Sequence, residues 1–99
     1  MFRRSRYADV IATQLDLFAE GDELDDVESA LARYNAADRD EAESLYGDYQ
    51  LAIEAAADGL AELRDTYAAR LEDAARYVVD FNRAAAKRWP ALAAAIEAS

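Results

Sequence analysis

Carboxylates are the reactive side chains that this chain has in number: 21 Asp and Glu against 11 Lys and Arg, with no His and no Cys. Without His the usual general base and the commonest metal ligand are missing. Without Cys there is neither a disulfide framework nor a thiolate metal site. Glu54, Asp58, Glu62 and Asp65 recur at spacings of four, four and three, which stacks them on one face of a helix. Such a stripe could hold a hard cation, Ca²⁺ or Mg²⁺. In the heptad frame set out below, however, the same residues lie opposite the apolar seam, where they read as a solvated face. The ferritin-like di-iron arrangement needs Glu-x-x-His pairs pointing inward, and its usual form is excluded. The sequence also contains no Gly-rich phosphate loop, nucleophile elbow or Ser/His/Asp set. No catalytic residue, metal or cofactor is expected.

Aromatic rings are the second group. Tyr46, Tyr49, Tyr67, Tyr77, Phe81 and Trp89 recur along the second half of the chain. They could bind a peptide, but a core or subunit interface is the plainer reading, because Tyr buries its ring and leaves its hydroxyl near the wet edge. Tyr46-Gly47-Asp48-Tyr49 looks motif-like, and helical placement of its tyrosines explains half of it. The third group is a basic tip, Arg3, Arg4 and Arg6, which opposes the dipole of the helix that follows it. Nucleic acid or anionic lipid could favour it. If the helices alternate up, down and up, it would instead lie beside the acidic first turn of the third helix, at Asp40, Glu41 and Glu43.

The elements that position these groups are helices. Tyr7, Val10, Ile11, Leu15 and Phe18 mark a first helix over about 4–20, stopped by Gly21 as a left-handed cap. Leu24, Val27, Leu31 and Tyr34 mark a second, acidic in its first turn and ended near Asn35-Ala36-Ala37. Asp38 and Glu41 have capping-box spacing for a third. Its seam reads Ala42, Tyr46, Tyr49, Ile53, Ala56, Leu60, Leu63 and Tyr67, a heptad pattern. The seam continues through Leu71, Ala74, Val78, Phe81 and Ala85, after a four-plus-four stutter at Leu63, Tyr67 and Leu71. One helix over about 39–88 follows, roughly 75 Å long, its acidic start and basic end matched to a single macrodipole. Gly47 and Gly59 weaken it, and Asp58-Gly59 could be a turn, but the seam crosses both in phase. Gly59 could also let a neighbouring helix approach. Trp89-Pro90 ends the long helix, and residues 91–98 form a short last one with Leu92 and Ile96 apolar.

The 99 residues make one domain, whose 54% hydrophobic content is dominated by Ala. The ten Arg against one Lys, with the Ala excess, follow a GC-rich genome. No uncharged stretch is long enough to span a membrane, and Asp9, Gln14 and Asp16 interrupt a signal-like start, so a cytoplasmic protein is expected. Residues 8–58 carry −13, which argues against direct phosphate binding, so neither nucleic acid nor membrane is expected as a partner.

Two resemblances bear on this. Secreted helical hairpin proteins marked by a Trp-x-Gly turn are similar in length and helicity, but Trp89 is followed here by Pro90 and Ala91, so the motif fails. The stretch Glu41–Arg70, with Leu45-Tyr46-Gly47-Asp48-Tyr49 and Leu63-Arg64-Asp65-Thr66-Tyr67-Ala68, resembles short, acidic helical proteins of high-GC bacteria. That group has no known activity, so the resemblance implies no site.

The expected fold is therefore all-α and coiled-coil-like: two short helices packed on one long amphipathic helix, about 39–88, with a short C-terminal helix. The short helices are too short to cover the long one, which leaves Tyr67, Leu71, Val78, Phe81 and Trp89 for an interface with a second copy. The expected function is non-enzymatic protein interaction or oligomerisation, as a homodimer with a further, unidentified protein partner. The alternatives are a carboxylate metal-binding bundle and an acidic mimic of nucleic acid that blocks a basic partner.

Overall fold

Helical periodicity carries through nearly the whole chain, and so does helix. The computed structural model describes residues 6–98, with no strand among them. Five helices follow in order: α1 (Ala8–Ala19), α2 (Asp22–Asn35), α3 (Ala42–Ala68), α4 (Ala74–Arg88) and α5 (Pro90–Ala98). Among the described residues no helix is long and apolar enough to cross a membrane.

α3 is the spine. Asp38 closes the turn that leads into it: its carboxylate accepts the Glu41 N–H at 3.1 Å, and its backbone carbonyl accepts the N–H groups of Glu41 and Ala42. This is the acceptor half of the expected capping box. The helix passes through Gly47 and Gly59 unbroken and spans roughly 40 Å. Ala56 and Leu60, both on the expected seam, are fully buried.

The single helix over 39–88 does not form, and this is the main correction to the sequence reading. After Ala68 the N–H groups of Arg70 and Leu71 turn to the carbonyls of Tyr67 and Ala68, three residues back. α4 starts after Asp73. The segment Ala69-Arg70-Leu71-Glu72-Asp73 has neither Gly nor Pro, so the cause is tertiary. Folding back puts Tyr77, Phe81 and Ala85 at 0% exposure. Each of the two aromatics gains about 1.5–3 kcal/mol by burial. The few ladder hydrogen bonds given up contribute about 1 kcal/mol each. The largest extent of the molecule is 51 Å, too short for the unbroken helix. α4 also has its own charge match, with Glu72 and Asp73 before its start and Lys87 and Arg88 in its last turn.

Two arms pack on the spine. α1 lies parallel to α4: the Tyr7 and Tyr77 rings are 5.5 Å apart at one end, and those of Phe18 and Trp89 5.6 Å apart at the other. α4 runs antiparallel to α3, with Arg64 Nη1 donating to Asn82 Oδ1 at 2.9 Å and the Tyr67 and Tyr77 rings 5.0 Å apart. α2 and α5 then return along the first half of α3. Both arms bend at the level of Gly59, one at Gly21 and the other at Trp89-Pro90. Pro90 opens α5, where its missing N–H is not needed.

Two glycine readings change. Gly21 is extended, with φ −81° and ψ 177°, and acts as the N-cap of α2 rather than as a left-handed cap of α1. A Cβ there would stand 3.3 Å from the Phe18 carbonyl oxygen, so it is space that favours glycine. At Gly59 a Cβ would meet the Phe18 ring at 3.6 Å, an ordinary contact, so the approach of α1 does not require glycine.

A buried polar contact joins α1 to α4 inside the core. The Tyr77 hydroxyl donates to Gln14 Oε1 at 2.6 Å, and both side chains are buried. Burial pushes the Tyr77 phenol above its ordinary value, with the Gln14 hydrogen bond working the other way. Among the described residues no buried side-chain nitrogen or oxygen lacks a partner.

Candidate functional site

The carboxylate stripe faces water. Glu54, Asp58, Glu62 and Asp65 are all exposed, and Asp65 is engaged by Arg64 at 2.8 Å. Among the described residues no three or more carboxylates gather in a way that could hold a metal ion.

The basic tip falls partly outside the described residues, since Arg3 and Arg4 precede residue 6. Arg6 is described and exposed, with its guanidinium 5.9 Å from the Tyr7 ring centre. Tyr7 packs on Tyr77, which packs on Tyr67 near the end of α3. Roughly 37 Å of helix separates that end from Asp40, Glu41 and Glu43. The pairing expected between Arg6 and those carboxylates is therefore not formed, because α1 begins at the opposite end of the spine.

Of the residues expected to face a second copy, Phe81 is fully buried inside its own chain. Tyr67, Leu71, Val78 and Trp89 are half-buried against the same core. Much of the unpartnered surface that pointed to pairing is taken up by α1 and by the fold-back of α4. Leu17, Leu51 and Val79 stay exposed, but on three different helices, and single exposed apolar residues need no special cause.

Exposed aromatic surface collects elsewhere. Tyr34 from α2 and Tyr46 and Tyr49 from α3 come together at the end of the spine nearest the α2–α3 connection. Ring centres are 5.2 Å apart for Tyr34 and Tyr46 and 6.2 Å apart for Tyr46 and Tyr49. Tyr46 keeps 44% of its surface exposed. Beside these rings a shallow groove of about 410 Å³ runs between α3 and α5. Tyr46, Tyr49 and Ile53 form one wall, and Ala91, Ala94 and Ala95 the other. Gln50 and Glu54 supply its polar edge. The groove stays open because α5 presents only methyl groups there. A Cβ at Gly47 would have open space around it, and nothing in the structure requires glycine at that position.

The electrostatics of the half of the molecule from the level of Gly59 to this end are one-sided. Residues 22–58 hold twelve carboxylates and two arginines, a net −10 that equals the charge of the whole chain. Most of those carboxylates are exposed, on α2, on the connection and on the first half of α3.

A second recess, of about 250 Å³, lies between α1 and α4 over Ile11, Leu15 and Ala84. Its cations are Arg83, Lys87 and Arg88, but Arg88 is tied to Asp16 at 2.7 Å, and the largely buried Asp80 sits in the same lining. Opposite charges meet there, which gives a ligand of either sign little to gain.

Of the seam tyrosines, Tyr49 packs against the core as the heptad count puts it, whereas Tyr46 stays 44% exposed, and Glu54 is exposed with the rest of its stripe. Sequence reasoning missed the groove, because α5 returns along α3 only when α4 breaks away. No family model matches the chain, and no match was found among curated proteins or solved structures.

Proposed function

We propose that this is a non-enzymatic helical interaction protein whose working surface is the tyrosine groove between the first half of α3 and α5. The observation that supports this reading is that Tyr46 and Tyr49 line an open groove, with the Tyr34 ring packed against Tyr46. Tyrosine supplies a large, rigid contact area at small entropic cost and is enriched among the residues that dominate protein interfaces. Besides the two tyrosine hydroxyls, the groove offers one carboxylate and one amide, and the chain has no histidine to serve as the usual general base beside them. A cytoplasmic setting belongs to the same reading.

The partner is a different protein rather than a second copy at this surface. An isologous contact would bring the −10 half of one chain against the −10 half of another, and like charges across an interface cost several kcal/mol. Affinity capture from the native host tests the reading, with the full chain and Tyr46→Ala compared at matched folded concentration. A stoichiometric protein partner lost in the variant is expected. The same proteins captured in the same yield by both chains would remove the groove from the function.

A further inference from the structure

We infer that the groove takes a basic, arginine-rich peptide segment of a partner protein, with an arginine stem laid on the alanine wall and its guanidinium on the tyrosine rings. This rests on the interaction reading above and names the chemistry of the partner. Three features of the site point the same way. The wall of Ala91, Ala94 and Ala95 facing Ile53 suits an alkyl stem, which long cationic side chains bury while keeping the head in water. The faces of Tyr46 and Tyr49 carry the negative π density that attracts a guanidinium. Glu54 stands at the edge of the groove, where a planar carboxylate can receive the fork of N–H donors. Around the groove, the −10 of residues 22–58 steers a cationic segment in and turns away an acidic one. Arginine fits better than lysine, because its weakly hydrated plane stacks on aromatic rings.

The test is a titration of the full chain with a fluorophore-labelled peptide of alternating Arg and Leu, at near-physiological salt. Length-matched Lys–Leu, Ser–Leu and Glu–Leu peptides are the comparisons. The Arg–Leu peptide is expected to bind tightest, the Lys–Leu peptide more weakly, and the other two not measurably. Tyr46→Leu keeps apolar bulk and helix propensity but removes the π face, and it should weaken Arg–Leu binding roughly tenfold. Glu54→Gln should weaken it by roughly threefold, whereas Asp26→Asn, an equal charge change on α2, should move it less than about twofold. Tyr46→Leu is a conservative change at an exposed site, and circular dichroism and melting confirm its fold before titration. The inference is overturned if the Arg–Leu peptide does not bind, or if the Ser–Leu or Glu–Leu peptide binds as well. Binding that Tyr46→Leu leaves unchanged and that only salt weakens also overturns it, since that is attraction to bulk charge. Failure of the peptide while a Tyr46-dependent protein is still captured from the host discards the basic class and leaves the groove standing. Failure of both discards the groove.

Discussion

Replacing Tyr77 by Phe changes one oxygen atom at the centre of the molecule, and its cost can be worked from the contacts. The ring is fully buried and touches Tyr7, Tyr67 and Phe81. Phe fills the same space, so packing is nearly unchanged. What is lost is the donor to Gln14 Oε1 at 2.6 Å, and Gln14 is only 8% exposed. A buried acceptor left without a partner costs about 1–3 kcal/mol. Phe is easier to bury than Tyr, which places the expected loss at about 1.5 kcal/mol. For a domain of this size that lowers Tm by roughly 6–12 °C. Urea unfolding followed by circular dichroism should show a lower midpoint with an unchanged slope. Adding Gln14→Leu should recover most of the loss, since removing both partners leaves nothing unsatisfied. The pH dependence has a definite sign. The folded phenol holds its proton above the ordinary value of 10.0, so its contribution is complete below pH 10 and is lost as pH rises through and beyond that value. The gap between parent and Tyr77→Phe should therefore close in strong alkali. A variant within about 0.5 kcal/mol of the parent, or a double variant that is the sum of two losses, would refute the account of this contact.

Three further outcomes follow from the packing. Phe81→Ala should cost about 3–5 kcal/mol in denaturant unfolding, because the ring is wholly inside its own chain; a stable variant with altered sedimentation would instead restore Phe81 to a subunit interface. Gly47→Ala should gain about 1 kcal/mol, since a Cβ there meets nothing within 4 Å and the helix gains propensity; a loss by the same assay would mean that position 47 is contacted by something else. Raising salt should raise Tm by screening the −10 concentrated in residues 22–58, and a fall would mean that ion pairs such as Arg88 to Asp16 outweigh that repulsion.

Periodicity made helix content, the α1 face and the middle of α3 legible. Ala56 and Leu60 are buried where the heptad count puts them, and Asp38 accepts from the Glu41 N–H as their spacing implies, in the turn just ahead of the helix. What periodicity could not show was whether the seam after Tyr67 stayed on the same helix. The stutter at Leu63, Tyr67 and Leu71 fits a slipped coiled coil and a break equally well. Only the long-range burial of Tyr77 and Phe81 decides between them. Glu72 and Asp73 ahead of an apolar run were the local trace of a new helix start, hidden because one long dipole explained the end charges too. Losing that break also hid the site: without it α5 would have no reason to lie beside Tyr49 and Ile53. Gly21 misled for a simpler reason, since glycine before an acidic turn serves a stop by left-handed backbone and a start by lack of bulk alike.

The parallel pairing of α1 with α4 sets a timetable during synthesis. The contacts that join them link residues 63 and 72 positions apart. At 5–20 residues per second, the ribosome takes roughly 3–14 s to supply the second partner. Through that interval α2 and the first half of α3 can already close on each other, while Ile11 and Leu15 still lack the α4 side of their packing. The earliest helix of the five to be made is thus among the last to be buried. Slowing translation between the codons for α3 and those for α4 would lengthen this exposure without changing a single residue, and with it the time in which nascent chains can meet chaperones or one another.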